Sequence, residues 1–159
     1  MLQPAFLQEL FALCKPFGLT TLIDSNGTIP FADYPELLEL TDGVMLDVKA
    51  FDGDEHRAVT DADNEVVLQN LKFLAQNKKL YEVRTVVVPG LFDAENTIQK
   101  TAAVLKEYLK DTPIRYKIIA YRPMGVRKEY ASFPVPKRVE LEVLAGILAE
   151  EGFENIIII

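Results

Sequence analysis

The sequence predicts an α/β fold in which about five mostly parallel strands form a partial (β/α) barrel, with helices on its outer face. Segments of helical and strand periodicity alternate along the chain, which begins with a helix and ends with a strand. The segments between successive strands are long enough for the crossover helices of right-handed β–α–β units. Because no strand precedes the first helix, we expect a barrel truncated at its N-terminus.

Strand and helix segments are distinguished by the period of their apolar residues. The predicted strands are residues 19–23, 41–50, 80–88, 114–121 and 155–159. The predicted helices are residues 4–17, 34–40, 64–77 and 95–110, a polar helical turn at 52–60, and a last helix marked by Leu141, Leu144 and Leu148.

The composition is that of a soluble globular protein, with 49% hydrophobic and 26% charged residues. A length of 159 residues predicts a single domain, 1–159. The net charge of −7 argues against nucleic acid and anionic membranes as partners. No apolar run reaches the roughly 20 residues of a membrane helix, and we find no secretory signal. We therefore expect a cytoplasmic protein.

The single cysteine, Cys14, and the single histidine, His56, limit the possible metal sites. Cys14 shares the apolar face of the first helix, which predicts a buried core residue rather than a ligand or nucleophile. His56 lies among acidic residues in a polar segment, which predicts an exposed or locally capped side chain. Neither residue can complete a zinc or iron–sulfur site, and no internal disulfide is possible.

The strand at residues 41–50 carries an acid and a base near its C-terminal end. Its apolar side chains at positions 44, 46 and 48 point to one face, which suits a layer of helices. Asp47 and Lys49 point to the opposite face. The carboxyl ends of strands are where α/β sheets and barrels place their sites. An incidental ion pair at a solvated strand end is the structural alternative.

Three more charged residues are candidates for the same site. Asp24 ends the first strand, within a DSNG sequence that turn formation alone would explain. Arg122 opens a loop with three cations in seven residues, which solvation alone would explain. Arg84 lies inside a strand, and its burial would require a carboxylate partner, because an unpaired buried charge costs several kcal/mol.

Neighbouring strands lie about 4.8 Å apart, so Asp24 and Asp47 could share a raised pKa or hold a cation. Lys49 and Arg122 would instead favour an anion such as a carboxylate. Together these side chains suit a ligand that bears both an ammonium and a carboxylate. A third reading, an aldolase-like site with Lys49 as Schiff-base amine, conflicts with the neighbouring Asp47.

Four sequence stretches carry a family resemblance. They are DSNG at 24–27, VMLDVK at 44–49, RTVVVPG at 84–90 and YRPMG at 121–125. Their order and spacing resemble those of the glycyl-radical-enzyme activating enzymes, which are similar to pyruvate formate-lyase activating enzyme and belong to the radical S-adenosylmethionine superfamily. The resemblance implies a partial (β/α)₆ barrel with a [4Fe–4S] cluster at its mouth. It further implies a 5′-deoxyadenosyl radical that abstracts hydrogen from a glycine of a partner enzyme.

The resemblance also implies roles for individual residues. Asp24, Asp47 and Lys49 match positions that line the S-adenosylmethionine side of the barrel. Arg122 stands where pyruvate formate-lyase activating enzymes have a histidine facing the ribose and adenine, which indicates a different subgroup. Arg84 matches a strand arginine with a structural or substrate-facing role.

Two motifs of the family are absent from the 159 residues: the C-x-x-x-C-x-x-C cluster motif and the G-G-E segment that binds the methionine amine. We therefore expect no cluster in this chain alone, no catalytic residue within it and no activity by itself. Two classes of function remain open. The chain is part of an activating enzyme, or it is a non-catalytic half-barrel that serves as an interaction domain. An unpaired sheet edge predicts homodimerisation in either case.

Overall fold

The computed structural model describes residues 3–159, and helices and strands alternate through them. The helices are α1 (Pro4–Cys14), α2 (Pro35–Leu40), α3 (Gly53–Thr60), α4 (Glu65–Gln76), α5 (Ala94–Leu105) and α6 (Arg138–Glu150). The strands are β1 (Leu22–Ser25), β2 (Gly43–Asp47), β3 (Leu80–Val87), β4 (Arg115–Ala120) and β5 (Asn155–Ile158). Short 3₁₀ helices occupy Lys15–Phe17 and Phe31–Asp33.

The five strands form one parallel sheet in the order β1-β2-β3-β4-β5, so β1 and β5 are its edges. This confirms the predicted α/β partial barrel. The helix-covered face is apolar and packed, as Val44, Leu46 and Val48 show by being 0% exposed. Apolar side chains of α4, α5 and α6 complete this core. No helix among residues 3–159 is long and apolar enough to cross a membrane.

The structure differs from several local predictions. The first strand begins at Leu22 rather than at residue 19, and it includes Asp24 and Ser25, which pair with β2. β2 ends at Asp47 and α5 ends at Leu105, before the predicted residues 50 and 110. Cys14 is only partly buried at the end of α1. His56 is buried rather than exposed, and the alternative of a local cap holds, because its Nδ1 lies 3.2 Å from the Ala50 carbonyl oxygen.

Candidate functional site

The sheet face opposite the helices carries charged side chains, and we call it the polar face. In β1 to β4 the alternating residues on this face include one series of acidic and basic side chains. Its members are Asp24, Asp47, Glu82, Arg84, Arg115 and Lys117. Strand pairing aligns Asp47 with Arg84 and Arg84 with Lys117, so the charges of three strands lie side by side.

Asp47 and Lys49 form an ion pair at the C-terminal end of β2, with 2.8 Å between Lys49 Nζ and Asp47 Oδ2. The Asp47 and Lys49 side chains are 27% and 33% exposed, so the ion pair is partly accessible to solvent. The predicted acid–base pair is confirmed. A Schiff base requires a neutral amine in an apolar pocket, and Lys49 instead forms an ion pair with Asp47.

Arg84 has the carboxylate partners that its position in a strand required. Its Nη1 donates to Asp24 Oδ2 over 2.7 Å, and its Nε donates to Glu82 Oε1. Burial lowers the pKa of Arg84, but its hydrogen bonds to Glu82 and Asp24 outweigh burial, so the pKa lies above its ordinary value. Asp24 and Asp47, which the sequence suggested could hold a cation together, each form an ion pair with a cationic side chain of the chain itself.

Glu82 is the buried centre of the polar face, and the sequence reasoning missed it. Its side chain is 0% exposed and contacts three cations, with Lys117 Nζ at 2.9 Å and an Arg115 Nη1 at 3.3 Å in addition to Arg84. Burial raises its pKa, yet the hydrogen bonds from Arg84 and Lys117 outweigh burial and lower the pKa overall. Alternation was the available signal, since Glu82 with Arg84 and Arg115 with Lys117 are spaced two apart on adjacent strands.

Arg122 is exposed at the start of the loop that follows β4. It takes no part in the ion pairs that join the other charged residues of the polar face. The same loop is anchored by the hydroxyl of Tyr121, which donates to the Tyr130 carbonyl oxygen over 2.6 Å. Arg122 therefore has a side chain available at the C-terminal edge of the sheet.

The DSNG segment, which ends β1 and continues into the next loop, is held by a hydrogen bond of its own and by a side chain of α4. Ser25 Oγ accepts a hydrogen bond from the Gly27 N–H at 3.0 Å. Buried Asn70 of α4 donates to the carbonyls of Gly27 and Ile29, both at 2.9 Å, and accepts from the Phe31 N–H. This amide fixes the loop beside Asp24.

Gly27 fits this loop for two physical reasons. Its φ is +73°, and a Cβ at this position would lie 2.8 Å from Leu46 Cδ1. Next to the loop, a cavity of about 550 Å³ opens between α1 and β1. It is lined by Gln3, Phe6, Leu7, Ile23, Asp24, Ser25 and Asn26. Asp24 is 60% exposed and so borders both this cavity and the polar face.

Metal-binding side chains are not gathered at this site. Residues 3–159 contain no group of three or more histidine, cysteine, aspartate or glutamate side chains placed to hold a metal ion. Cys14 is the last residue of α1. The charged side chains of the polar face can bind a ligand that carries charged groups of its own.

Relatives with assigned functions share this fold. The chain is 32% identical to pyruvate formate-lyase 1-activating enzyme of Escherichia coli K12, over 96% of the chain and 65% of that enzyme. It is 34% identical to pyruvate formate-lyase-activating enzyme of Streptococcus mutans, over 78% of the chain and 49% of that enzyme. It is 26% identical to (2S)-3-sulfopropanediol dehydratase activating enzyme of Klebsiella oxytoca, over 88% of the chain and 44% of that enzyme. No family model matches the sequence.

Solved structures agree on the fold. A domain of pyruvate-formate lyase-activating enzyme from Bacteroides vulgatus superposes with a TM-score of 0.77 at 21% identity, over 99% of this chain and 91% of that one. A radical SAM methyltransferase from Sphaerobacter thermophilus superposes with a TM-score of 0.62 at 14% identity, over 90% and 42% of the two chains.

The solved structures thus share the parallel partial-barrel fold of this chain. By sequence, the chain is similar to the pyruvate formate-lyase activating enzymes over most of its length. It spans 65% of the length of the E. coli relative.

Proposed function

We propose that this chain forms the S-adenosylmethionine-facing wall of an activating enzyme that installs a glycyl radical on a partner enzyme. The observation that carries the proposal is the pair of ion pairs at the strand ends of the polar face, Asp47 with Lys49 and Asp24 with Arg84. Homology to activating enzymes over 96% of the chain supports it.

The charged residues suit the methionine part of S-adenosylmethionine, which bears an ammonium and a carboxylate. Lys49 can donate to a carboxylate, and Asp24 and Asp47 can accept from an ammonium. All three side chains are at least 27% exposed and can therefore exchange their present partners for a ligand. Arg122, exposed after β4, is assigned to the nucleoside part of the cofactor, and Arg84 to the substrate-facing side.

An iron–sulfur cluster does not fit the residues of this chain. A [4Fe–4S] cluster in which one iron binds S-adenosylmethionine needs three cysteine thiolates for the other irons. The sequence has one cysteine. The thiolates of the proposed enzyme must come from polypeptide other than these 159 residues. The chain's own contribution is to bind and orient the cofactor.

The partner we propose is a glycyl radical enzyme. The relatives are named as activators of pyruvate formate-lyase and of (2S)-3-sulfopropanediol dehydratase, so the family serves more than one partner. Because position 122 is an arginine rather than the histidine of pyruvate formate-lyase activating enzymes, the partner need not be pyruvate formate-lyase.

Titration with S-adenosylmethionine tests the cofactor assignment. We expect binding weaker than micromolar, visible as shifts of the backbone amide signals of residues 24, 47 and 49 at millimolar ligand. Lys49→Met should abolish these shifts. Lys106→Met, which removes the remote ion pair with Glu151, should leave them unchanged. Micromolar affinity by calorimetry would show that this chain binds S-adenosylmethionine without a further polypeptide. Equal shifts in the two variants would show that Lys49 does not contact the ligand.

Co-expression tests the activity. The chain should be combined with the part of the E. coli activating enzyme that it does not match, and a glycyl radical sought by electron paramagnetic resonance on pyruvate formate-lyase and on other glycyl radical enzymes. A radical that depends on Lys49 would support the enzyme proposal. A stable complex that generates no radical on any partner would favour an interaction role.

One surface supports the second candidate, a non-catalytic interaction domain. Phe6, Leu10, Leu13 and Phe17 recur at helical spacing along one side of α1 and its 3₁₀ extension, and all are at least 40% exposed. The free edge of β1 follows in the sequence, and such an edge can pair with a strand of another chain. A homodimer through this surface is the specific form we propose.

Light scattering distinguishes these states. Leu13→Glu should convert a dimer into a monomer, because a charge would be buried in the interface. Val143→Glu places the same charge on α6 at a residue that is 58% exposed, and it should leave the mass unchanged. A wild-type monomer at all concentrations would contradict the dimer.

A further inference from the structure

Glu82 contacts more cations than it needs for charge balance. One carboxylate, 0% exposed, accepts from Arg84, Arg115 and Lys117, and these belong to two different strands. Including Asp24, the cluster holds three cations and two carboxylates, a net charge of +1. A lone buried carboxylate is unfavourable, so Glu82 needs cationic partners, and it has one on its own strand and two on β4.

The two carboxylate oxygens of Glu82 bind different cations. Oε1 accepts from Arg84 Nε and from Lys117 Nζ, whereas Oε2 accepts from Arg115. Arg115 is held again by Tyr81, whose hydroxyl accepts from its Nη2 over 2.8 Å and whose ring lies 4.8 Å from its guanidinium carbon. Lys117 and Arg115 thus fix Glu82 against β4, and Glu82 in turn fixes Arg84.

Arg84 connects Glu82 to Asp24, which lies on the edge strand β1. With Nε bound to Glu82, its Nη1 reaches Asp24 on β1 at 2.7 Å and its Nη2 lies 2.8 Å from Met45 Sδ. Asp24 is 60% exposed, and Arg84 is the cation with which it pairs among the described residues. The direction of the Asp24 carboxylate therefore depends on a buried acid two strands away.

We propose that Glu82 is a positioning residue, which orients Arg84 and through it Asp24 for ligand binding on the polar face. The ligand part of this inference rests on the function proposed above. The positioning part concerns the Arg84 guanidinium alone and is measurable without any ligand.

Nuclear magnetic resonance of the arginine Nε–H groups tests the positioning. In the wild type, the Arg84 Nε–H should exchange with solvent far more slowly than that of exposed Arg127. Glu82→Gln keeps the side-chain shape and removes the charge, and exchange at Arg84 should become about tenfold faster. Glu142→Gln is the matched control. It removes the equivalent Nε–carboxylate bond of exposed Arg138, 2.9 Å long, and should leave Arg84 unchanged.

A double variant separates positioning from charge balance. Glu82→Gln with Lys117→Gln restores the net charge of +1 and keeps the protein folded if the single variant does not fold. Fast exchange at Arg84 in this double variant would support positioning. Slow exchange, or fast exchange at Arg84 already in the wild type, would overturn it.

The ligand readout uses millimolar S-adenosylmethionine. The shifts of the Asp24 amide should require about tenfold more ligand in Glu82→Gln and no more than the wild type in Glu142→Gln. If Arg84 loses its protection while ligand binding is unchanged, the coupling to the ligand is overturned. If the wild type shows no shifts at all, the proposed cofactor function fails, and the exchange data still decide whether Glu82 positions Arg84.

Discussion

Arg84 on β3 and Asp24 on β1 are 60 residues apart in sequence, and a 2.7 Å ion pair joins them alongside the Met45 side chain of the strand between them. Arg84 is 18% exposed and Asp24 is 60% exposed. The pair therefore connects the buried centre of the polar face to its open edge.

This difference in exposure predicts unequal effects on stability. Asp24→Asn should lower the free energy of unfolding by less than about 1 kcal/mol, because an exposed carboxylate is well screened. Arg84→Gln should cost about 2 to 3 kcal/mol, because buried Glu82 loses one of its three cations. Urea unfolding of both variants measures this, and equal losses would contradict the buried role of Glu82.

Two glycines with positive φ provide a matched test of the DSNG loop. Gly18→Ala should cost about 1 kcal/mol, because φ is +67° but no atom lies within 4 Å of the added Cβ. Gly27→Ala adds a contact of 2.8 Å with Leu46 Cδ1 and should cost about 1 to 3 kcal/mol more. Thermal and urea unfolding check the order, and a milder effect at Gly27 would show that the loop moves freely.

Asn70 should be essential for the loop that follows β1. Asn70→Leu removes two donated bonds and one accepted bond, and we expect a loss of about 3 kcal/mol at roughly 1 kcal/mol for each. Amide hydrogen exchange at Phe31 should accelerate by more than global destabilisation explains. Gln69→Leu, on the exposed side of the same helix, is the control.

The Lys15–Asp42 pair predicts an acid-sensitive contribution to stability. Hydrogen bonds from Lys15 and from the Thr21 backbone lower the pKa of Asp42 from 3.8 to about 2. A lowered carboxylate pKa stabilises the fold above the ordinary value, and this contribution disappears as the pH falls from about 4 to about 2. Asp42→Asn should be less stable than the wild type at neutral pH, by no more than about 1 kcal/mol because Asp42 is 43% exposed, and equally stable near pH 2.

His56 predicts a second, separate pH window. Burial lowers its pKa below 6.5, so the unfolded chain binds a proton at a pH where the folded chain does not. Stability should therefore decline as the pH falls below about 6.5. His56→Gln should flatten this decline without altering the one near pH 4 to 2. Chemical denaturation at several pH values checks it, and an unchanged profile would show that folding does not lower the pKa of His56.

Periodicity was sufficient for the element order and for the two faces of β2. Leu80–Val87 differs from its predicted bounds by one residue at one end, and Glu65–Gln76 by one residue at each end. The agreement is close because pattern and tertiary packing favour the same structure there. The start of β1 was misjudged because residues 19–21 are as strand-like as those that follow, and only pairing with β2 selects among them. The burial of His56 depends on the β2–α3 connection, which no local pattern encodes.

The sequence by itself determined the parallel α/β class, the apolar face at positions 44, 46 and 48, and the Asp47–Lys49 pair, since all of these follow from local alternation. It also required that Arg84 have a carboxylate partner, because a buried cation cannot remain unpaired. Only the tertiary structure decided which carboxylates these are. Strand order and register bring Glu82 and Asp24 to Arg84, and they leave Asp47 to Lys49.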